Sequence, residues 1–309
     1  MSYVYYLAGE NPELGLAEIN GFLESQGFEE SASRTGRIVE TESEPMQLKR
    51  LALTHEVSRK ISEIEDIEDF RVEYRPEGSF AIRAENMTEG KDTGDIETEL
   101  GEKISGKTNS VDLENPETVL KAYILEEKIV LGELIEDINR GLFGKRKNQN
   151  RPFSSPVSLD PVLARVLVNL TGVKPGENVL DPFCGTGGIL IEAGLCGVGV
   201  HGLDVKEEMV SGTERNLEEY GIINHDIRQG EISEADEILG NGCDAIVTDL
   251  PYGKSSKETG NPVEDFLEFM EDFDGPVVFV WNREELKGYE ANFSVYIHGS
   301  LTRYIYVLE

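Results

Sequence analysis

Residues 178–188 read NVLDPFCGTGG, a short apolar strand that runs into a glycine-rich turn and then into an apolar helical segment. Glycines allow the backbone to turn sharply and to approach a ligand closely. In an open α/β sheet, ligands bind beyond the carboxyl ends of the strands, which is where such a turn lies. A dinucleotide fingerprint would need glycine at the position of Leu190, so this turn is more typical of a nucleoside site.

Strands and helices alternate regularly on both sides of this turn. Residues 161–170, 188–195, 207–220, 233–239 and 263–269 are predicted helices, and residues 178–180, 199–203, 245–248 and 277–281, with a segment near Ile227, are predicted strands. This alternation indicates an α/β fold, a doubly wound parallel sheet with helices on both faces. Residues 294–298 and 302–308 alternate apolar and polar side chains around Gly299-Ser300, which predicts an antiparallel hairpin at the end of the sheet.

The residues before position 150 are acidic, and strand-like and helix-like pieces are mixed there, which predicts an α+β region. Strands are predicted at 3–7 and 80–84. A helix is predicted at 46–61, where four residues recur at helical spacing. These residues are Leu48, Leu51, Ala52 and His55.

The formal net charge of −31 argues, taken alone, against nucleic-acid binding, which needs clustered Lys and Arg. An acidic surface also has a simpler reading, as a way to stay soluble in a salty cytoplasm. The segment 140–151 reverses this charge, because it carries five basic residues and no acid. It is therefore a candidate phosphate contact, with an ordinary basic linker as the alternative.

Three cysteines without CxxC spacing argue against a disulfide framework and against a structural zinc site. No apolar run approaches the roughly 18 residues of a membrane helix, and the first residues do not read as a signal peptide. These observations predict a cytoplasmic protein without a membrane segment and without a metal.

Two acidic positions after the glycine turn suit a bound nucleoside. Asp204 ends the second predicted strand, where a carboxylate can accept hydrogen bonds from both ribose hydroxyls; a helix N-cap is its alternative role. Glu231 follows the third strand and is placed to approach an adenine amino group. Asp226 remains a rival for that contact, since the whole region is acidic.

Asp249-Leu250-Pro251-Tyr252 follows the fourth strand and predicts chemistry at an exocyclic base amine. Such an amine is a poor nucleophile, and two acceptors aimed at its hydrogens would orient the nitrogen. Asp249 can supply a carboxylate and Leu250 a backbone carbonyl, while Pro251 sets the turn. Tyr252 offers a ring on which a flipped base stacks, worth about 1–3 kcal/mol. A plain strand-to-loop turn is the alternative reading.

Several motifs together resemble the archaeal tRNA (guanine-10-N2)-methyltransferase family. They are RPFSSP at 151–156, LAR at 163–165, VNL at 168–170, DPFCGTGGILIEAG at 181–194 and TDLPYG at 248–253. The first half is similar to the family's THUMP module, through FAIRA at 80–84, VDL at 111–113 and the basic stretch. The wider amino-methyltransferase signature has proline in place of Leu250, but a carbonyl serves equally from leucine.

The resemblance implies S-adenosyl-L-methionine as cofactor and methyl transfer to guanosine N2 in tRNA, at position 10. The implied cofactor-binding residues are Asp181, Pro182, Cys184, Gly185, Thr186, Gly187, Asp204, Val205, Glu231 and Asp249, with Phe153, Ser154 and Pro156 on the methionine side. The implied guanine site is Asp249, Leu250, Pro251 and Tyr252. The implied tRNA contacts are Arg83, Lys145, Arg146, Lys147 and Arg151.

The resemblance also implies a domain order: a ferredoxin-like segment at 1–45, THUMP at 46–140, a basic linker at 141–155 and a Rossmann-like class I methyltransferase domain at 156–309. It implies a monomer, with a small accessory protein subunit as the alternative. Three other functions stay open at this point: guanosine N2 methylation elsewhere in tRNA, such as the acceptor stem, adenine N6 methylation, and tRNA binding without catalysis. The number of methyl groups added is also open.

Overall fold

The structure, a computed structural model, describes residues 1–68, 70–71, 73–88, 92–156, 158–235, 242–251, 261–299 and 301–308. The chain divides into two compact units. The first comprises Met1–Leu16, Glu30–Leu48 and Leu53–Asn139, and the second comprises Ala17–Glu29, Lys49–Ala52 and Arg140–Glu309. The domain boundaries predicted at residues 45, 140 and 155, and the THUMP assignment, stay predictions.

The first unit is built on an eight-stranded mixed sheet in the order β2-β3-β1-β4-β8-β7-β5-β6. Its strands are β1 (Tyr3–Leu7), β2 (Ser33–Thr35), β3 (Ile38–Thr41), β4 (Thr54–Ile64), β5 (Gly78–Asn86), β6 (Asn109–Val111), β7 (Thr118–Ile124) and β8 (Ile129–Asp137). The helices of this part of the chain are α1 (Pro12–Glu24) and α2 (Thr93–Ile104). The strands predicted at 3–7 and 80–84 are confirmed.

The helix predicted at 46–61 is wrong. Leu48–Arg50 forms only a 3₁₀ turn, and β4 begins at Thr54. The strand pairs with both β1 and β8, so its backbone hydrogen bonds are satisfied inside the sheet. Leu48 and Leu51 are buried although no α-helix forms, so their helix-like spacing reflects burial in an irregular segment. Pairing with strands distant in sequence has overridden the local pattern.

The second unit contains a seven-stranded sheet in the order β11-β10-β9-β12-β13-β17-β16. Its strands are β9 (Asn178–Asp181), β10 (Gly199–Asp204), β11 (His225–Gln229), β12 (Ala245–Asp249), β13 (Val277–Trp281), β16 (Phe293–His298) and β17 (Leu301–Leu308), and a small separate ladder joins β14 (Glu285–Leu286) to β15 (Tyr289–Glu290). β9 to β13 are parallel, whereas β17 runs antiparallel to β13 and β16. The predicted doubly wound sheet with its closing hairpin is confirmed.

The helices of the second unit follow the predicted alternation. They are α3 (Gly141–Lys145), α4 (Pro161–Leu170), α5 (Gly188–Gly194), α6 (Glu207–Glu219) and α7 (Pro262–Glu271), with 3₁₀ turns at Asn148–Asn150 and Ile232–Glu234. α4 starts where Asp160 accepts a hydrogen bond from the Val162 backbone at 3.0 Å and Pro161 occupies the first turn. Of the helix predicted at 233–239, residues 236–239 lie outside the described residues. None of the helices described could cross a bilayer, by length and hydropathy together.

The carboxyl-terminal part of α1 packs in the second unit through buried polar contacts. Glu18 accepts hydrogen bonds from the Ala52 backbone and from the Asn169 side chain, both at 2.8 Å. Arg50 donates to the Asn169 side chain at 2.7 Å. The approach is close, because a β-carbon at Gly21 would overlap the backbone carbonyl oxygen of Asn169.

We predict that Gly21→Ala destabilises the second unit by at least about 2 kcal/mol, because backbone atoms cannot move aside as a side chain could. Scanning calorimetry should show a fall of several degrees in its Tm. Gly144→Ala is the matched control: it also adds one methyl group to a helix, but it enters open space. Equal Tm values for the two variants would contradict the close packing of α1.

Candidate active site

The glycine turn owes its shape to two residues with positive φ. Gly185 has φ of 54° and Gly187 has φ of 76°, in the left-handed region that favours glycine. At Gly187 a β-carbon would also lie 2.7 Å from the methyl group of Thr213. The hydroxyl of Thr213 donates to the Gly185 carbonyl at 2.7 Å. The turn is therefore held against α6 while it opens α5.

A cavity of about 320 Å³ lies at the carboxyl ends of β9, β10 and β12. Eleven of the residues predicted from the sequence line it: Asp181, Pro182, Cys184, Gly185, Thr186, Asp204, Val205, Glu231, Asp249, Leu250 and Pro251. The cavity thus brings together the predicted cofactor turn and the predicted catalytic turn. Phe153, Ser154, Pro156 and Gly187 are not among the lining residues, and Tyr252 lies outside the described residues.

Sequence reasoning missed half of the lining residues. They are Ser158, Leu159, Phe183, Gly188, Ile189, Lys206, Met209, Gly230, Ile232, Pro262 and Asp265. Phe183, Gly188 and Ile189 belong to the glycine turn or to the start of α5, and the others come from segments whose contact with the turn depends on the tertiary fold. In the described part of the chain, no group of His, Cys, Asp and Glu is arranged to hold a metal ion.

Asp181 ends β9 and is almost completely buried. Its Oδ1 atom accepts hydrogen bonds from the Thr248 hydroxyl at 2.7 Å and from the Phe183 backbone at 3.1 Å. Burial is the main cause that raises the pKa of Asp181 to about 7, and the charges of Asp249 and Asp204 act in the same direction. The residue can therefore change its charge near neutral pH.

Asp204 ends β10 and is tied to the glycine turn. It accepts hydrogen bonds from the Gly185 backbone at 3.1 Å and from the Lys206 backbone at 2.9 Å. The N-cap of α6 is Lys206, so Asp204 is not the cap residue. Burial raises the pKa of Asp204, and the two backbone donors oppose this effect.

Asp249 ends β12 and makes an ion pair that the sequence did not suggest. Its Oδ2 atom accepts a hydrogen bond from Nη1 of Arg303, on β17, at 2.5 Å. The Oδ1 atom is buried and has no hydrogen-bond partner among the described residues. Burial raises the pKa of Asp249, and the charge and hydrogen bond of Arg303 lower it. Leu250, the next residue, is fully buried and donates its backbone N–H to the Val280 carbonyl at 3.1 Å.

Glu231 and Asp226 occupy different places. Glu231 lines the cavity and caps the 3₁₀ turn that follows β11. Asp226 forms an ion pair with Arg228 at 2.6 Å and does not line the cavity.

Asn216, inside α6, connects the segment of Phe153 to the glycine turn. Its side chain makes hydrogen bonds with the N–H and the carbonyl of Phe153 and with the Thr186 carbonyl, each at 2.9 Å. Asn in the interior of a predicted helix is unfavourable for helix formation, and that is the signal available in the sequence. Phe153 therefore reaches the site region indirectly, through Asn216.

The basic stretch is partly internal to the second unit. Glu192 is completely buried and pairs with Arg146 at 2.6 Å and with Arg165 at 2.8 Å. Arg151 is buried and donates to the Arg146 carbonyl and to the Ser158 hydroxyl. These contacts give Arg146 and Arg151 structural roles within the fold, and their contact with tRNA stays a prediction.

Lys145 and Lys147 are exposed, and Lys147 lies 3.4 Å from Asp160. In the first unit, Arg83 donates to the Leu113 carbonyl at 2.7 Å. The three residues remain predicted tRNA contacts.

We predict that stability depends on the charge of Asp181. Its folded pKa of about 7 lies above its ordinary value of 3.8, so folding favours the protonated form. The stability of the second unit should then fall as pH rises from about 4 to about 7. Asp181→Asn should remove this part of the slope and raise the free energy of unfolding at pH 8 by on the order of 2 kcal/mol. Urea unfolding of both proteins at pH 5 and pH 8 measures the difference; parallel pH dependences would contradict it.

Known proteins are similar to this chain in sequence and in fold. Residues 148–274 match the UPF0020 family model, described as RMKL-like, methyltransferase domain. The crystal structure of TrmN from Thermus thermophilus is similar over 100% of this chain and 99% of its own, with a TM-score of 0.56 and 20% identity, which shows a shared fold.

Two curated relatives cover the whole chain. A tRNA (guanine(10)-N2)-dimethyltransferase from Methanothermobacter thermautotrophicus is 35% identical, over 100% of this chain and 99% of the relative. A protein of the same name from Pyrococcus abyssi is 33% identical with the same coverage. This similarity along the whole chain shows that it belongs to the tRNA (guanine(10)-N2)-dimethyltransferase family.

Proposed function

We propose that this protein transfers methyl groups from S-adenosyl-L-methionine to the N2 amine of a guanosine in tRNA, at position 10, and forms N2-methylguanosine and then N2,N2-dimethylguanosine. One observation carries the proposal: Asp249 and Leu250 line the same cavity as the glycine turn, in a chain that matches tRNA (guanine(10)-N2)-dimethyltransferases along its full length. The reaction takes place in the cytoplasm, on tRNA as the partner, with the chain acting as a monomer.

The cavity fits S-adenosyl-L-methionine in size and in chemistry. Its volume lies in the range of small-molecule sites. Asp204, held at the end of β10, would accept hydrogen bonds from the ribose hydroxyls. Glu231 would accept from the adenine amino group, because it lines the cavity and Asp226 does not. Asp181 would face the amino-acid part, whose ammonium group favours its ionised form.

The bound cofactor supplies a methyl group attached to a positively charged sulfur, and this sulfur becomes a neutral thioether when the methyl group is transferred. The nitrogen of the guanine amine uses its lone pair to form the new bond to carbon as the bond from carbon to sulfur breaks, and the nitrogen then loses one proton to solvent water. Asp249 would accept a hydrogen of the amine through its carboxylate, and the Leu250 carbonyl would accept the other. Both acceptors orient the nitrogen, and positioning of this kind provides much of the acceleration. Tyr252, from its place in the sequence, would stack on the guanine.

We predict that Asp249→Asn lowers the rate of methyl transfer by about 10³-fold, because the amide presents hydrogens where the amine needs an acceptor. Mass spectrometry of nucleosides from an unmodified tRNA transcript measures the product, its base and the number of methyl groups. A transcript with adenosine at position 10, paired to a matching base, is the substrate control. Full activity of the variant, or methylation of the control transcript, would contradict the proposal.

We predict that replacing Lys145 and Lys147 together with Ala weakens tRNA binding severalfold. It should also reduce the slope of log affinity against log salt by about one to two, because exposed lysines release counterions from phosphates. Filter binding over a range of salt concentrations measures both quantities. Lys174→Ala is the control, since this exposed lysine precedes the amino-terminal end of β9, whereas the cavity lies at the carboxyl ends of the strands. An unchanged slope in the double variant would place both lysines outside the tRNA contact.

A further inference from the structure

The ion pair between Asp249 and Arg303 follows from the topology of the sheet. Asp249 is in register with Val280 of β13, and Val280 is in register with Ile305 of β17. Because β17 is antiparallel, residues before Ile305 extend past the carboxyl end of β13. Arg303 precedes Ile305 by two residues, which places both side chains on the face that Asp249 shares. The hairpin thus places the guanidinium of Arg303 next to the carboxylate of Asp249, the predicted catalytic residue.

The pair is nearly dry, with 7% of the Arg303 side chain and 16% of the Asp249 side chain exposed. A guanidinium can bind both oxygens of a carboxylate, but here the contact is made with Oδ2. The Oδ1 atom is buried and lacks a hydrogen-bond partner within the described ranges. Leaving a buried acceptor unsatisfied is unfavourable, so such an atom calls for an explanation in function.

The cavity around this ion pair carries further carboxyl groups. Asp181 from β9, Asp204 from β10, Glu231 and Asp265 line the same cavity as Asp249. Within the described ranges, Lys206 is the one cationic residue in its lining. Like charges at close range favour protonation of one of them, and a protonated carboxyl group is a poor acceptor for an amine hydrogen.

We propose that Arg303 is a positioning residue for methyl transfer: it holds Oδ2 of Asp249 and keeps the carboxylate charged, so that Oδ1 receives a hydrogen of the guanine N2 amine. This inference rests on the proposed function. Arg303 acts through Asp249 and does not contact the reacting atoms. Removing its charge raises the pKa of Asp249, because burial then acts without an opposing cation.

The test compares Arg303→Gln and Arg303→Lys with wild type in single-turnover methylation of a tRNA transcript between pH 5.5 and 9. For Arg303→Gln we expect a rate about 10²-fold lower than that of wild type at pH 7. The acidic limb of its pH–rate profile should lie about one pH unit or more higher, so that the difference in rate from wild type becomes smaller as pH rises. Arg303→Lys should keep the charge and lose about tenfold. The limb due to Asp181 is common to all three proteins. Affinities for S-adenosyl-L-methionine and tRNA should change by less than about threefold.

Arg228→Gln is the control, because it breaks an exposed ion pair on β11 of the same sheet and should leave the pH profile unchanged. A rate of Arg303→Gln reduced by the same factor at every pH would mean that Arg303 has a structural role, and an unchanged rate would mean that it does not contribute to methyl transfer. Either result overturns the proposal. If Arg303→Gln does not fold, Arg303→Met takes its place. The proposal is then overturned if Arg303→Lys has the wild-type rate at every pH and Arg303→Met loses the same factor in rate at high pH as at low pH. Formation of N2-methylguanosine by wild type tests the proposed function separately from these ratios.

Discussion

Three parallel strands that each end in an aspartate impose the constraint on which the rest of the site depends. Asp181, Asp204 and Asp249 end β9, β10 and β12, and the parallel arrangement brings their carboxyl groups to one cavity. Buried like charges are unfavourable unless hydrogen bonds or cations compensate them. The structure compensates each in its own way, and these differences separate the three roles.

The compensating groups differ among the three aspartates. Asp181 receives a hydroxyl and one backbone donor, and its pKa stays high at about 7. Asp204 receives two backbone donors, one of them from the glycine turn that it helps to hold. Asp249 receives a side-chain ion pair, with Arg303. The carboxylate nearest to the proposed chemistry is therefore the one held by a side-chain ion pair, which suits an acceptor that must stay ionised.

Much of the second unit was predictable, because its signals are local. The bounds predicted for 161–170 and 277–281 coincide with α4 and β13, and the glycine turn identifies its own position on the sheet. The wrong helix at 46–61 and the missed Arg303 have one common cause: each is decided by pairing with strands far away in sequence. Asn216 is intermediate, since a polar residue in a helix interior is visible but its partners are not.

The two halves of the site differ in how far apart in the chain their parts lie. The contact of Gly185 with Asp204 joins residues 19 positions apart, whereas that of Arg303 with Asp249 joins residues 54 positions apart and needs β17 in register. Contacts between distant residues form late and are lost together with the elements that carry them. Local opening of the hairpin β16–β17 would thus leave the glycine turn folded but abolish methyl transfer. In a partly folded molecule, cofactor binding would depend on the glycine turn and β10, whereas turnover would depend also on β17.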